Sequence, residues 1–255
     1  MNEMETLEQQ IEKKIKHEVA SLNRSDLFRE PLVGFSAAAD PRYDELKQII
    51  GAWHQHPKEL LPDAKSVISY FVPFTKEVIK APKNEKMATP LWGEAYLVIN
   101  EGFDHINGIL CTFLQEQGYS AQMIPATHTF DPKDMKSLWS HRSAAAIAHL
   151  GVFGANRLLI TEKGSGGRFC TVLTSAPLEP SEATLSNPCL YLKDGSCGAC
   201  FKACPINALQ ADHFDAFGCQ ARTKRNESFL HDKAVLSGAD VCGKCIAACP
   251  VAYIK

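Results

Sequence analysis

The sequence predicts an α+β protein with two unequal domains, residues 1–184 and 185–255. Strand-like and helix-like hydrophobic patterns alternate through the first domain, as expected for helices layered on a sheet. After Pro180 these patterns fade, and prolines, polar residues and cysteines dominate. About 70 residues form only a small apolar core, so we expect an inorganic group to organise the second domain.

Composition places the chain among ordinary globular proteins. Its 255 residues are 45% hydrophobic and 22% charged, with a formal net charge of −2. These values exclude disordered and fibrous chains, and the balanced charge argues against a general nucleic-acid-binding surface. No apolar run approaches the ~18 residues of a membrane span, and the charged N-terminus does not have the pattern of a signal peptide. We expect a cytoplasmic protein with no membrane partner.

The opening residues predict an amphipathic helix. Apolar side chains recur at helical spacing over positions 4–22, so this helix is expected to dock on the body of the protein or on a second subunit of a homodimer. A short strand is predicted over 31–37. A helix over 41–53 follows, with a proline at its start.

The middle of the chain predicts the core of the first domain. Residues 60–74 contain a turn and then an apolar, β-rich run, which is typical of a buried strand. Residues 92–117 carry apolar side chains at helical spacing and predict a long core helix that ends near Gly118. A strand over 120–126 and a helix over 134–151 come next, the helix stopping at its final glycine.

Two further strands, 156–161 and 169–174, flank a glycine-rich turn at 164–168. Such a turn either closes a hairpin or cradles a phosphate with its backbone N–H groups. The hairpin is the simpler interpretation. The sequence has neither a Gly-x-Gly-x-x-Gly segment after a strand nor a Walker motif.

The cysteines carry the strongest signal. There are ten, and eight of them fall between positions 189 and 249. The segment CGACFKACP at 197–205 recurs as CGKCIAACP at 242–250, with six of nine positions identical and an offset of 45 residues. Each copy reads Cys-x2-Cys-x3-Cys-Pro, and one more cysteine precedes each copy. Eight thiolates are the number that two [4Fe–4S] clusters require.

The spacing assigns these cysteines to two sets. A Cys-x2-Cys loop wraps one face of a cubane, whereas the cysteine before proline leaves the loop and faces the other cluster, as in bacterial two-cluster ferredoxins. The first set is predicted to be Cys189, Cys197, Cys200 and Cys249, and the second Cys204, Cys219, Cys242 and Cys245.

Alternatives remain for this region. Two zinc ribbons would use the paired Cys-x2-Cys motifs, although they leave the third cysteine and the proline without a role. Asp194 stands where the usual ferredoxin run has a cysteine, so Asp194 or water is an alternative to Cys189 as the fourth ligand of the first cluster. Cys111 and Cys170 lie in apolar helix and strand contexts and are interpreted as packed thiols.

The residues before the cysteine array resemble a known family. The segments SHRSAAAIAHLGVFGANRLLIT (140–161) and CTVLTSAPL (170–178), followed by the cysteines, are similar to epoxyqueuosine reductases. ELLPDAKSVISYFVPF (59–74) is similar to the family's Leu-Pro-Gly-Ala-Lys-Ser-Val segment, with Asp63 in place of the glycine. More distantly, the chain resembles reductive dehalogenases. The resemblance implies a nitroreductase-like α/β sandwich holding cobalamin, followed by a two-cluster ferredoxin-like domain.

The resemblance also implies residues around a corrin. The candidates are His141, Arg142, Gly154, Asn156 and Arg168. The two arginines would pair with propionamide oxygens or a phosphate, and the glycine would let the backbone approach a large planar ligand.

The resemblance places the catalytic proton donor near Met135. Asp134 is the first candidate, Asp131 is a neighbouring one, and His141 is the second catalytic candidate. The family's Gly-Lys-Asn triplet has Ala155 at its centre here, so a lysine near the corrin is absent.

Together these features predict an iron–sulfur, cobalamin-dependent oxidoreductase. It would pass low-potential electrons from an external donor through two clusters to a corrin and on to a small organic substrate. One alternative is an electron-transfer or activating protein that reduces a partner corrinoid protein. A weaker one is epoxyqueuosine reduction in tRNA, because six residues follow Cys249 where the family has a tRNA-binding repeat domain, and the net charge is negative. The clusters imply a reducing cytoplasm, with an anaerobe as the expected host.

Overall fold

A four-stranded antiparallel sheet forms the centre of the protein. The computed structural model describes residues 5–125, 130–131, 133–182, 185–234 and 236–255. Its strands are β1 Leu32–Ala37, β2 Ser66–Pro73, β3 Ala121–Met123, β4 Phe130–Asp131, β5 Lys136–Ser137, β6 Gly151–Phe153, β7 Leu159–Thr161 and β8 Gly167–Thr174. Its helices are α1 Leu7–Ser21, α2 Arg42–Ile49, α3 Pro57–Leu60, α4 Lys76–Lys80, α5 Pro90–Glu116, α6 His141–Ile147, α7 Leu190–Asp194, α8 Ala199–Lys202, α9 Ala216–Ala234 and α10 Lys244–Ala247.

The sheet has the strand order β1-β2-β8-β3. The central strand β2 pairs with β1 and β8, and all its residues are buried. Its sequence is mostly apolar, with Ser66 and Ser69 as buried exceptions, because helices cover both faces and a strand with no solvated face has no need of alternating polar side chains. The predicted buried strand within 60–74 is confirmed.

Helices α5 and α1 pack on one side of this sheet. The hydroxyl of Thr89 accepts the backbone N–H of Trp92 and begins α5, and Pro90 occupies the first helical position, where its missing N–H costs nothing. Helix α1 begins at a capping box formed by Thr6 and Gln9. Its buried side chains, Ile11, Ile15 and Val19, belong to the same core as α5. The opening helix therefore docks on the body of the protein.

The helix predicted over 134–151 is wrong in its first half. Met135 has a φ of +58°, which a right-handed helix does not allow, and residues 136–137 form strand β5. The hydroxyl of Ser140 accepts the backbone N–H of Ser143, so α6 starts only at residue 141. The helix ends before His149, whose φ is +58°, and Gly151 begins β6 instead of ending the helix.

The hairpin predicted around the glycine-rich turn is also wrong. Strand β7 pairs with β6, whereas β8 pairs with β2 and β3. The turn between them receives the C-terminal segment. Gly166 donates its N–H to the carbonyl of Ala252 at 2.9 Å, and the N–H of Gly164 bonds to Thr161. Two of the N–H groups that a phosphate cradle would use are therefore engaged within the protein.

The C-terminal segment is held by one arginine. The guanidinium of Arg29 donates to the carbonyls of Ile254 at 2.7 Å and Lys163 at 2.6 Å, and it stacks on the ring of Tyr253. Because the acceptors are backbone carbonyls of distant segments, this side chain fastens the end of the cysteine-rich region to the first part of the chain.

Helix α9 was not predicted. It has 19 residues, and only Asn226 and Leu230 among them are buried. A helix with so narrow an apolar stripe gives no periodic signal. It matters for the site because Cys219 lies in its first turn.

The predicted mixture of helices packed on a sheet is confirmed, and the sheet is antiparallel. The nitroreductase-like and ferredoxin-like assignments stay predictions, as does the division at 184/185, since residues 183–184 lie outside the described part. Within the described ranges, no helix has the length and apolar character needed to span a membrane.

Candidate functional site

The two copies of the cysteine repeat fold alike. Each forms a four-residue helix, α8 in the first copy and α10 in the second, and these helices contact each other. In each copy one cysteine precedes the helix, one lies in it and one follows it. The second copy requires Gly243, whose φ is +74° and where a Cβ would lie 2.7 Å from the ring of Trp92.

One set of four cysteines lines a small cavity. Its thiols are those of Cys189, Cys197, Cys200 and Cys249, so the last cysteine of the second copy joins the first two of the first copy. Burial, followed by the neighbouring thiols, raises the pKa of Cys249 to about 11. The pKa of Cys200 is raised for the same reasons. Without metal, these two groups are neutral thiols at pH 7.

The second set gathers at the start of α9. Burial raises the pKa of Cys219 to about 11, with further contributions from Cys242 and Cys204. Burial raises the pKa of Cys245 to about 12, with contributions first from Cys242 and Cys219 and then from Cys200 and Cys204. Since Cys245 interacts with Cys200 of the first set, the two sets are neighbours.

The first cavity also has hydrogen-bond donors that suit a negatively charged cluster. The backbone N–H of Ala155 donates to the sulfur of Cys189 at 3.5 Å. The side chain of Asn156 lines the cavity, and its Nδ2 is buried with no hydrogen-bond partner among the described residues. N–H groups aimed at ligand and cluster sulfurs are a regular feature of iron–sulfur sites. The residues present therefore fit a [4Fe–4S] cluster.

The alternative fourth ligand, Asp194, lies outside the first set. Asp194 is exposed and accepts the backbone N–H of Ser196 at 2.9 Å, which lowers its pKa. It does not line the cavity, whereas Cys189 does.

The two remaining cysteines lie outside these sets. Cys170 is fully buried in β8, and the amide of Asn107 donates to its sulfur at 3.1 Å. Cys111 is half-buried in α5 and packs against the main core. Both positions agree with their interpretation as packed thiols.

Three basic side chains lie near one another and near the second set. His141, Arg142 and Arg168 are all reached by solvent, yet burial is the main cause that lowers the pKa of each. Side chains at the bottom of a cleft combine these two properties, and the surface around these three residues is called the cleft. Arg168 interacts electrostatically with the other two, and Cys245 interacts with Arg142, so the cleft and the second set adjoin.

Arg168 carries a donor with no acceptor. Its guanidinium lies over the ring of Tyr96, 4.7 Å from the centroid, and its Nη2 donates to Asn100 at 3.1 Å. Its Nε is buried and has no hydrogen-bond partner in the described ranges. An unpaired cationic N–H is costly, and amide, carboxylate or phosphate oxygens satisfy it well. This donor fits the side-chain amides or the phosphate of a corrin.

His141 is fixed by a chain of hydrogen bonds. Trp139 Nε1 donates to Thr171 Oγ1 at 2.9 Å, and this hydroxyl lies 2.8 Å from Nδ1 of His141. Nε2 lies 3.0 Å from the carbonyl oxygen of Pro125. A carbonyl only accepts, so Nε2 carries the proton and Nδ1 accepts from the threonine. Burial lowers the pKa of His141 to about 4. The ring is therefore neutral, with both nitrogens engaged, and its predicted catalytic role stays a prediction.

Asp134 lies in an exposed turn. Its carboxylate forms a 2.7 Å ion pair with the Lys136 side chain and accepts that residue's backbone N–H at 3.1 Å. These interactions lower the pKa of Asp134, whereas a proton donor must be protonated at the working pH. The neighbouring candidate, Asp131, is exposed and accepts the backbone N–H of Lys133 at 2.9 Å. The assignment of the proton donor to Asp134 or Asp131 stays a prediction.

Asn156 lines the cavity of the first cysteine set, and Gly154 lies beside it in the same loop. Their predicted contact with a corrin stays a prediction. A Cβ at Gly154 would lie 2.7 Å from Ile160 and 3.1 Å from the Asn156 side chain. One residue farther on, the carbonyl of Arg157 accepts from Arg142 at 3.0 Å. The loop 154–157 therefore separates the cleft from the first set and contacts both.

Comparison with known proteins agrees with the motifs. No profile of a known protein family matches the sequence. The epoxyqueuosine reductase of Staphylococcus aureus is 28% identical over 201 residues, which cover 69% of this chain and 48% of that protein. The structure of epoxyqueuosine reductase from Streptococcus thermophilus superposes with a TM-score of 0.58 at 18% identity, covering 95% of this chain and 66% of that one.

Reductive dehalogenases share the fold as well. A catabolic reductive dehalogenase in complex with 3-bromo-4-hydroxybenzoic acid gives a TM-score of 0.59 at 16% identity, covering 87% of this chain and 30% of that one. A second such structure, reported with a mechanism for B12-dependent dehalogenation, gives 0.51 at 17% identity and covers 70% and 23%. The predicted resemblance to both groups is confirmed. The chain spans about half the length of the curated relatives it matches.

Proposed function

We propose that this protein is an iron–sulfur, cobalamin-dependent oxidoreductase that delivers low-potential electrons to a corrin and on to a small organic substrate. The observation that carries the proposal is the exchange of one cysteine between the two repeat copies, because two-cluster ferredoxins use this exchange and zinc ribbons have no need of it. The epoxyqueuosine reductases and the B12-dependent dehalogenation named among its relatives support an oxidoreductase.

The eight cysteines would hold two [4Fe–4S] clusters. The first would be bound by Cys189, Cys197, Cys200 and Cys249, and the second by Cys204, Cys219, Cys242 and Cys245. Such clusters supply one-electron reduction at potentials down to about −700 mV, and a corrin supplies a cobalt centre that becomes nucleophilic when fully reduced. Binding of iron would displace the protons of the buried thiols, and the apolar surroundings would then exclude water from the sulfurs.

The positions of the two cysteine sets suggest the direction of electron transfer. Cys245 of the second set interacts electrostatically with Arg142 of the cleft, so this set would be the one that reduces the bound cofactor. The first set lies next to α7, where Leu190 and Leu192 are exposed. We propose that an external low-potential donor docks at α7 and that electrons enter there.

The cleft residues would bind and orient the corrin. Arg168 Nε would donate to one of its amide or phosphate oxygens, and Arg142 would add a second cation in the same cleft. Both ring nitrogens of His141 are engaged by Thr171 and Pro125, so this side chain would hold the shape of the cleft around a bound corrin. Asp134 would serve as the proton donor only after release from Lys136.

Titration of the anaerobically reconstituted protein with hydroxocobalamin tests the proposal. We expect a 1:1 complex with an altered corrin spectrum at micromolar cobalamin. Absence of binding in protein that carries both clusters would overturn the cobalamin part. A protein that binds no small substrate but speeds the reduction of a partner corrinoid protein would be an activating protein. Because the proposal depends on clusters, it also places the protein in a reducing cytoplasm.

Epoxyqueuosine reduction in tRNA is the second candidate. The curated relatives that match are named for this activity, and one structural neighbour was solved with an epoxyqueuosine-modified tRNA stem loop. Expression of this chain in a strain lacking its own epoxyqueuosine reductase tests it. Restored queuosine in tRNA would favour this candidate over a small-molecule substrate.

A further inference from the structure

Asn156 presents an unexplained buried donor at the first cysteine set. Its side chain is 6% exposed and lines the cavity formed with Cys189, Cys197, Cys200 and Cys249. Its Nδ2 has no hydrogen-bond partner in the part of the chain that the structure describes. A buried amide N–H left unpaired costs about 1–3 kcal/mol, so native proteins rarely keep one without an acceptor.

The orientation of this amide is fixed by the backbone. The Oδ1 of Asn156 accepts the N–H of Leu158 at 3.2 Å. The reversed amide would set its NH₂ against that N–H, two donors with no acceptor between them. The oxygen is thus committed to the loop, and Nδ2 is the polar atom left for the cavity.

The same loop supplies a second donor to the same sulfurs. Ala155, the preceding residue, donates its backbone N–H to the sulfur of Cys189 at 3.5 Å. Most of the remaining cavity lining is apolar, including Ile160, Leu190 and Val251. The four thiols, and whatever they bind, are therefore the main acceptor groups of the cavity that Asn156 lines.

We propose that Asn156 Nδ2 donates a hydrogen bond to a sulfur of the first cluster and raises the reduction potential of that cluster. This inference rests on the proposed function, since it requires iron at the first set. Reduction adds negative charge to the sulfurs, so an N–H dipole aimed at them stabilises the reduced form more than the oxidised form. Asn156 then has a positioning and tuning role at the electron entry site and is not a corrin ligand.

Redox titration of Asn156→Leu, followed by EPR, tests the inference. Leucine has a similar volume and no donor. We expect the reduction equilibrium of the first cluster to become about tenfold less favourable, which lowers its potential by ~59 mV for a one-electron couple. The second cluster is the internal control and should keep its potential. An exchangeable-proton coupling to the first cluster should also be lost.

Asn156→Asp removes the hydrogen-bond donor and is expected to preserve the fold of the loop. Aspartate keeps an acceptor for the Leu158 N–H and removes the NH₂, so this variant carries the test even if Asn156→Leu loses its first cluster. We expect this variant to lower the reduction potential of the first cluster by at least as much as Asn156→Leu. The matched control is Asn187→Asp, because Asn187 is exposed and bonds to the Cys189 backbone without lining the cavity. Its charge is added at an exposed position outside the cavity, where solvent screens it, and should shift the potential less.

The possible outcomes distinguish failure of the inference from failure of the proposed function. Full iron content in both Asn156 variants with an unchanged first potential would overturn the inference and leave the proposed function standing. Wild-type protein without iron would overturn the proposed function and the inference with it.

Discussion

Cys249 lies beside Cys200 in one cavity, although the two belong to different copies of the repeat. The helices that carry the copies, α8 and α10, contact each other, so the last cysteine of the second copy reaches the first. Neither copy therefore completes a set of four alone. A group bound at either set would cross-link both copies, and this accounts for order in a region with little apolar core.

The exchange of cysteines between the two copies predicts which cluster is lost when a given cysteine is replaced. Cys249→Ala should remove the first cluster and lower iron from about eight to about four atoms per chain. Cys204→Ala should remove the second cluster instead, and EPR of the reduced proteins should show a different surviving signal in each. Cys111→Ser is the control and should keep all its iron. Loss of the same cluster in both variants would contradict the exchange.

The glycine-rich turn is predicted to secure the C-terminal segment. Gly164 has a φ of +95°, and a Cβ there would lie 2.3 Å from the carbonyl oxygen of Ala252. Gly164→Ala should lower the free energy of unfolding by about 2 kcal/mol or more, from backbone strain and the clash together.

Urea unfolding followed by circular dichroism measures this loss. Gly108→Ala is the matched control, because Gly108 lies in α5 at a position where an added methyl group would meet no atom within 4 Å. It should be neutral or gain up to about 1 kcal/mol. Equal stability of the two variants would show that the turn does not bear on the C-terminal segment.

The sequence was sufficient to predict elements whose side-chain spacing follows directly from burial. The apolar run of β2 and the helical periodicity of α5 predicted both elements, since burial of those side chains dictates their spacing. The cysteine sets were predicted from loop spacing, and the structure brings the same sets together. Their role as iron ligands stays a prediction.

Non-local pairing could not be predicted from the sequence. The partners of β7 and β8 are decided by which segments meet in space, so adjacency in the chain misled the hairpin prediction. The position of Asn156 was likewise hidden, because a residue near a family motif gives no sign of which neighbouring cavity it lines. The buried, unpaired amide reveals its role only once the fold is known.

Arg168 is predicted to contribute to corrin binding. Arg168→Leu removes its unpaired Nε donor, and loss of a hydrogen bond from a charged group should weaken cobalamin binding about 10- to 100-fold. Corrin absorbance during titration of the iron-loaded protein measures this. Arg42→Leu is the control, because Arg42 pairs with Asp40. Unchanged affinity in Arg168→Leu would remove this residue from the corrin site.

The lowered pKa of His141 leads us to expect that the stability of the protein depends on pH. Its pKa is about 4 in the folded protein and about 6.5 when unfolded, so the unfolded chain takes up the proton first as pH falls. The contribution of this side chain to the free energy of unfolding is full above about pH 6.5. It declines as the pH falls toward 4 and is smaller by about 1 kcal/mol at pH 5.5.

His141→Gln should flatten this decline between pH 7 and 5.5, measured by urea unfolding. His105→Gln, at an exposed position of α5, should keep the wild-type slope. A slope in His141→Gln as steep as in the wild type would mean that the buried ring does not hold its neutral form.

Iron, acid-labile sulfide and zinc analysis of protein purified without air tests the central claim most directly. We expect about eight iron and eight sulfide atoms per chain, a brown colour that bleaches on reduction, and negligible zinc. A colourless protein with about two zinc ions per chain, or one with no metal after reconstitution with iron and sulfide, would contradict it.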